Sequence, residues 1–93
     1  MTYEIALQRL TALCASAEHC EYEMTEKMRK WEVDESDRQR IVEYLRDAKF
    51  VDDERYARAF VKDKIKYNKW GRRKVEQALW AKHIADDIRQ RVL

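Results

Sequence analysis

The sequence has almost none of the residues that interrupt helices. Its 93 residues include no proline and a single glycine, Gly71. These two residue types are the least favourable in a helix interior, and no segment alternates apolar and polar residues for long, as a half-buried strand would. The composition therefore predicts an all-α protein. A chain of this length forms one small domain or two very small subdomains.

Cysteine, serine and histidine are also scarce, which excludes several kinds of site. Cys14 and Cys20 do not have the spacing of a zinc-binding CxxC motif, and no HxxxH motif accompanies them. One glycine cannot build a phosphate-binding loop, and neither the serines nor the histidines lie in a catalytic motif. We therefore expect no enzyme activity, no metal, no cofactor and no small-molecule substrate.

Long apolar runs are absent as well. No apolar stretch approaches the roughly 20 residues that span a bilayer, and the first residues do not have the pattern of a signal peptide. The two cysteines are interpreted as reduced thiols. These features predict a cytoplasmic protein without a membrane partner.

Apolar residues at helical spacing are abundant and predict about six helices. The first four cover residues 2–17, 20–31, 34–48 and 52–68, a fifth opens at Gly71, and a sixth runs from residue 85 to residue 93. Asp52 and Gly71 are the expected N-caps of the fourth and fifth helices. For the third helix, Asp34 or Ser36 can cap, and Ser36 with Gln39 has the spacing of a capping box. The fourth helix has a wide apolar face that comprises Ala57, Phe60, Val61, Ile65 and Tyr67.

A shift of 51 residues superimposes the two halves of the sequence. Met24 falls on Val75, Val33 falls on Ile84, and the helix starts coincide. The shift predicts two tandem three-helix repeats in a right-angled or curved array. The repeats are residues 1–50 and 51–93. The last helix of the second repeat is the shorter one, so we expect this repeat to be truncated at its C-terminus, as in a fragment or a naturally short member of a longer repeat protein.

Positive charge is concentrated in one segment. Residues 1–50 carry 8 Lys and Arg against 11 Asp and Glu, whereas residues 51–93 carry 12 against 7. Such a cluster indicates either an acidic or polyanionic partner or a solvated helix face. We call the following seven cations the basic cluster: Lys62, Lys64, Lys66, Lys69, Arg72, Arg73 and Lys74.

Aromatic residues surround this cluster. Tyr56 and Phe60 are one helical turn apart and are expected in the core. Trp70 is expected to pack across the junction between the fourth and fifth helices, and the alternative is an exposed Trp70 that stacks on a base. Trp80 lies off the apolar stripe of its helix, which predicts an exposed side chain.

Two segments of the sequence resemble the RecX family of recombination regulators. Residues 6–31, ALQRLTALCASAEHCEYEMTEKMRKW, are similar to the start of the family pattern. Residues 50–84, FVDDERYARAFVKDKIKYNKWGRRKVEQALWAKHI, resemble its central repeat almost position by position, most specifically in DERYA and in Trp70-Gly71. Two features depart from the family. Glu32 follows Trp31 where family members often have glycine, and the third unit that is usual in the family is missing.

The resemblance implies a non-enzymatic regulator. Family members bind RecA filaments along the helical groove and inhibit strand exchange, ATP hydrolysis and co-protease action, and so modulate DNA repair and the SOS response. The basic cluster is the expected contact, with single- or double-stranded DNA as a further candidate partner. Two alternatives stay open. One is a DNA-binding module whose junction at residues 68–74 resembles a helix-turn-helix, and the other is an assembly module that joins another chain through Trp80.

Overall fold

The computed structural model describes residues 1–93 and contains six α-helices and no strand, which confirms the all-α prediction. The chain divides into two compact units of three helices each, unit 1 (Met1–Asp52) and unit 2 (Asp53–Leu93). No helix combines the length and the apolar character needed to cross a membrane. The helices are α1 (Tyr3–Ser16), α2 (Glu21–Lys30), α3 (Glu35–Asp47), α4 (Asp53–Lys66), α5 (Arg72–Ala81) and α6 (Asp86–Val92).

The core of unit 1 consists of one apolar stripe from each helix. Within these helices the fully buried side chains occur in pairs four residues apart, a spacing that places both on one face of a helix. Each fully buried Leu, Ile or Met stabilises the unit by about 1.5–3 kcal/mol relative to exposure. The pairs are Ala6 and Leu10 on α1, Met24 and Met28 on α2, and Ile41 and Leu45 on α3.

Unit 2 is built in the same way but buries fewer side chains. Ala57 comes from α4, Val75 and Leu79 come from α5, and Ile84 follows α5. α6 contributes no fully buried residue. The buried core of unit 2 is therefore smaller than that of unit 1.

The shift of 51 residues relates the two units in geometry as well as in sequence. Arg38 and Arg89 are equivalent by this shift, and each guanidinium donates a hydrogen bond to the backbone carbonyl five residues earlier. The Arg38 Nη1 to Val33 O distance is 2.7 Å, and the Arg89 Nη1 to Ile84 O distance is 2.6 Å. The prediction of tandem three-helix repeats is thus confirmed at the level of individual hydrogen bonds.

The first and third helices of each unit are joined at equivalent positions by different chemistry. In unit 1, the Arg40 guanidinium carbon lies 4.6 Å from the centroid of the Tyr3 ring. In unit 2, the same two positions are Arg91 and Glu54, and Arg91 Nη2 lies 2.7 Å from Glu54 Oε1. A cation–π contact in one unit therefore occupies the place of an ion pair in the other.

Three helices end in Schellman motifs although none of them has a glycine there. After α2, α3 and α5, the residue beyond the C-cap adopts a left-handed conformation, with φ of 56° at Glu32, 65° at Lys49 and 58° at His83. In each case the next N–H donates to a carbonyl five residues earlier, as from Val33 to Met28 at 3.0 Å. The motif satisfies carbonyls at the helix end, but the left-handed conformation is unfavourable for a residue with a Cβ atom.

The structure decides one alternative that the sequence left open and contradicts one expectation. α3 begins at Glu35 with Asp34 at the N-cap, which is one of the two caps predicted, so Ser36 lies inside the helix and does not form a capping box with Gln39. Ile65 and Tyr67 were expected on the apolar face of the fourth helix, but they are 45% and 68% exposed. α4 ends at Lys66, so Ile65 lies in its last turn and Tyr67 lies beyond the helix, where helical spacing no longer determines which side chains face the core.

We expect Glu32→Gly to stabilise the protein. Glycine adopts positive φ without steric cost, whereas another residue in this conformation loses about 1–2 kcal/mol, partly offset by the greater flexibility of glycine in the unfolded chain. The free energy of unfolding should rise by about 1 kcal/mol, measured by urea denaturation followed by circular dichroism. Glu32→Ala is the matched control, because it removes the carboxylate and keeps the strain. An equal gain in both variants would contradict this explanation.

Glu54 is the centre of an ion-pair network in unit 2. Its carboxylate accepts hydrogen bonds from Arg91 of α6 and from Arg58, one turn along α4. Arg91 also pairs with Asp87. The hydrogen bonds from Arg91 and then Arg58 hold the pKa of Glu54 below its ordinary value of 4.5. The network therefore favours the ionised carboxylate in the folded state.

The lowered pKa of Glu54 predicts a pH-dependent contribution to stability. Because the unfolded chain takes up this proton more readily, the contribution is fully present above the ordinary pKa and is lost as the pH falls through the lowered one. We expect wild type to be more stable than Glu54→Gln at about pH 6 and the difference to shrink progressively as the pH falls below the ordinary glutamate pKa of 4.5. Thermal unfolding across this range measures it, with Glu76→Gln as a control on α5. A difference that persists at low pH would rule out the ion pair as its source.

Candidate partner-binding site

The basic cluster lies at one end of unit 2. Its residues occupy the last turns of α4, the connecting residues 67–71 and the first turn of α5. Since the end of α4 and the start of α5 are joined by only five residues, the seven cations are brought together by the chain path alone. Lys62 and Lys66 are one helical turn apart on α4. All seven side chains are exposed except that of Lys64, which is half-buried.

None of the seven cations has a carboxylate partner in the structure. Outside the cluster the situation is different, because every arginine makes an ion pair, a hydrogen bond or a ring contact. Arg46, for example, binds Glu21 through two hydrogen bonds of 2.8 and 2.9 Å. Arg72 and Arg73 are the two arginines of the chain that lack any such contact. The positive charge of the cluster is thus left available to a partner.

The start of α5 has the wrong charge for a helix N-terminus. Gly71 is the N-cap, as expected, and provides no side-chain hydrogen bond to the first turn. The first turn consists of Arg72, Arg73 and Lys74 and contains no acid. Cations are unfavourable there because the N-terminal end of the helix dipole is positive. Gly71 itself is not required by crowding, since an added Cβ would meet no atom within 4 Å.

Three aromatic rings form a row from the core of unit 2 to the basic cluster. Tyr56, which is 8% exposed, stacks on Phe60 with ring centroids 6.0 Å apart. Phe60 in turn meets Trp70 edge to face, with centroids 6.2 Å apart and a plane angle of 73°. Trp70 therefore packs across the junction between α4 and α5 and anchors the connecting segment.

Two lysines of the cluster lie against the Trp70 ring. The ammonium nitrogen of Lys74 is 4.2 Å from the ring centroid, and that of Lys64 is 4.9 Å from it. Lys64 is also 5.5 Å from the Phe60 centroid. This arrangement was not among the features predicted from the sequence. The spacing of four residues between Trp70 and Lys74 on either side of a helix start is a signal that could have suggested it.

Trp80 and the cysteines lie elsewhere. Trp80 is 68% exposed, as its position off the apolar stripe predicted, and it borders a hollow of about 240 Å³ with Arg73 and Arg89. Cys14 is half-buried, with its Sγ atom 3.8 Å from the sulfur of Met24, and Cys20 is buried as the N-cap of α2. The structure contains no group of three or more His, Cys, Asp or Glu residues that could hold a metal ion.

Unit 2 matches the model of a known protein family. Residues 52–93 match the family model for "RecX, second three-helix domain". The regulatory protein RecX of Clostridium acetobutylicum is 36% identical over 86 residues, which cover 92% of this chain and 39% of that protein. RecX of Lactobacillus gasseri is 33% identical over 72 residues, which cover 77% of this chain and 27% of that protein. The chain thus spans less than half the length of these relatives.

Solved structures show the same fold. The crystal structure of RecX from Lactobacillus salivarius has a TM-score of 0.90 and 20% identity over 98% of this chain and 59% of that chain. A second crystal structure of regulatory protein RecX has a TM-score of 0.91 and 22% identity over 98% of this chain and 45% of that chain. At these identities the likeness concerns the fold, and it agrees with the six-helix architecture.

We expect Arg72→Glu to stabilise unit 2. The substitution places an acid in the first helical turn, where each favourable charge contributes about 0.3–1 kcal/mol, and it reduces repulsion within the basic cluster. The free energy of unfolding should rise by about 1 kcal/mol in low salt and by less in high salt, measured by urea denaturation. Gln77→Glu, at an exposed position beyond the first turn, is the matched control. An equal gain from that control would show that overall charge, rather than the dipole, is responsible.

Proposed function

Because the chain belongs to the RecX family, we propose that it is a regulatory protein that binds RecA filaments and inhibits their ATPase, strand-exchange and co-protease activities. It acts by binding and catalyses no reaction itself. In this proposal the protein works in the bacterial cytoplasm and modulates recombinational repair and the SOS response. Successive three-helix units suit a helical groove, because each unit can follow the track of the one before it.

The observation that supports this proposal best is the unpaired basic cluster of unit 2. Seven cations lie at one end of a unit that matches the second three-helix domain of the family, and none is neutralised by a carboxylate. Exposed charges of this kind mainly increase the rate of association with an acidic partner and orient that partner on the surface. Their effect on affinity is smaller. In the proposal the cluster contacts acidic residues of the filament.

The equivalent surface of unit 1 supports assigning the contact to unit 2. Shifted by 51 residues, Lys74 corresponds to Glu23 and Arg72 to Glu21. Glu23 accepts the backbone N–H of Cys20 at 3.2 Å, and Glu21 pairs with Arg46. At these positions unit 1 therefore carries acids already engaged in its own fold, whereas unit 2 carries cations without carboxylate partners.

The proposal is tested with RecA on single-stranded DNA. Adding this protein should lower ATP hydrolysis, and the quadruple variant Lys62→Ala/Lys69→Ala/Arg72→Ala/Arg73→Ala should require a concentration at least about tenfold higher for the same inhibition, because four exposed charges are lost. The matched control removes four cations of unit 1 and changes the net charge equally: Arg9→Ala/Lys27→Ala/Arg29→Ala/Lys30→Ala. Circular dichroism should show unchanged helix content in both.

Three outcomes would count against the proposal. Wild-type protein that leaves the ATPase unchanged would refute RecA regulation by this chain. Inhibition that survives the quadruple substitution would place the contact on another surface. Binding to RecA-free DNA as tight as binding to the filament, with a log–log salt slope of about −0.9 per neutralised phosphate on duplex DNA, would favour the DNA-binding alternative.

A further inference from the structure

We propose that Trp70 is a positioning residue that holds Lys64 and Lys74 as a fixed pair of ammonium groups for the carboxylates of an acidic protein segment. This inference rests on the proposed function, since the acidic segment is taken to belong to the filament. Carboxylates are thus the proposed ligands of Lys64 and Lys74 within the basic cluster. The remaining cations of the cluster provide attraction without a fixed geometry.

The Trp70 ring is itself held in place. Its edge-to-face contact with Phe60 and the stacking of Phe60 on the buried Tyr56 connect the ring to the core of unit 2. Its backbone N–H donates to the carbonyl of Lys64 at 2.9 Å, which closes the end of α4. A ring held at both the side chain and the backbone provides a defined surface for the lysine side chains.

Two like charges lie against this one ring. The ammonium groups of Lys74 and Lys64 lie 4.2 and 4.9 Å from the centroid, so they are no more than about 9 Å apart. Neither group has a carboxylate partner. The ring attracts both cations and reduces the mobility that exposed lysines otherwise have. Less ordering is then required when an anionic partner binds.

Unit 1 has the same three-helix scaffold without this arrangement. The positions equivalent to Trp70 and Lys74 are His19 and Glu23, whose side chains are 3.3 Å apart. The position equivalent to Lys64 is Leu13, which packs against the core. The fold therefore does not require a lysine–tryptophan–lysine arrangement, and its presence in unit 2 calls for a ligand.

The surroundings favour a protein segment over a phosphate backbone. Ile65 and Tyr67, which lie between the lysines in sequence, are exposed, and the Lys66 ammonium lies 5.4 Å from the Tyr67 centroid. Protein interfaces combine exposed aromatic and aliphatic groups with charges, whereas nucleic-acid interfaces are more polar. An extended acidic segment offers carboxylates to both ammonium groups and apolar side chains to Ile65 and Tyr67.

The ligand class is tested with two probes of equal charge, a hexaglutamate peptide and a dT oligonucleotide. The background variant Trp31→Phe/Trp80→Phe leaves Trp70 as the single tryptophan, so its fluorescence reports on the site. The peptide should change the emission and bind at least about fivefold more tightly than the oligonucleotide. The change should be lost with Lys64→Ala/Lys74→Ala. Equal or tighter binding of the oligonucleotide, or a peptide response that survives loss of both lysines, would overturn the assignment.

The positioning role is tested on RecA filaments by a double-mutant cycle. Trp70→Leu should weaken binding about as much as Lys64→Ala/Lys74→Ala, on the order of tenfold for two cation–π contacts, and combining them should add less than about twofold. Trp70→Phe keeps a ring and should restore most of the affinity. Additive losses, or full affinity with Trp70→Leu, would overturn the positioning role.

Folding and the proposed function are separated by two further comparisons. Each variant is accepted only if its thermal unfolding and circular dichroism match wild type. If Trp70→Leu fails this criterion, the peptide assay with the lysine variants decides instead. Loss of filament binding in Lys62→Ala/Lys69→Ala/Arg72→Ala/Arg73→Ala together with full binding in Lys64→Ala/Lys74→Ala would overturn this inference while leaving the proposed function intact.

Discussion

The fold depends on how its short helices end. Helices of 7 to 14 residues are barely stable alone in water, so each unit exists only because its three helices turn back and bury their apolar stripes against each other. The turns after α2, α3 and α5 achieve this with a left-handed residue that is not glycine, followed by an apolar residue that packs inward. Val33 and Ile84 are these inward residues after α2 and α5, and both are almost fully buried. The unfavourable conformation is thus offset by burial one residue later, which couples the ends of these three helices to a core.

Comparison of the two repeats distinguishes the structural features that both units share from the charges that differ between them. Both units keep the N-cap positions, the left-handed turns, the arginine that binds a backbone carbonyl, and a link between the first and third helices. The charges are not kept. Glu21 and Glu23 in unit 1 complement the helix dipole at the start of α2, whereas Arg72 and Lys74 oppose it at the start of α5. Features that are shared belong to the architecture, and the basic cluster does not.

The sequence predicted the architecture well, and its failures have physical causes. Buried pairs such as Met24 and Met28 repeat every four residues, so periodicity identified the core faces of the helices. Periodicity gives the face of a residue but not whether another helix reaches it, and for this reason Ile65 and Tyr67 were placed inside. Asp34 and Ser36 could both cap the third helix by sequence, and the structure shows that Asp34 fills that position. The basic cluster could be read from the sequence, since its residues are adjacent. For the contact of Lys64 and Lys74 with Trp70, the four-residue spacing of Trp70 and Lys74 is a partial signal, but the full arrangement depends on side-chain rotamers and on the path of residues 67–71.

The cations at the start of α5 are unfavourable for folding in two respects. This cost supports the proposal that they bind a partner. They repel one another, and three of them face the positive end of a helix dipole without an acid in the same turn. The chain contains 18 Asp and Glu residues, and its net charge is only +2. In unit 1 such an acid lies at a helix start, where Glu23 accepts the backbone N–H of Cys20. Unit 2 also has the smaller set of fully buried residues, so it is the unit that can least sustain this loss. In the proposed function, a partner that neutralises this surface offsets the unfavourable charges.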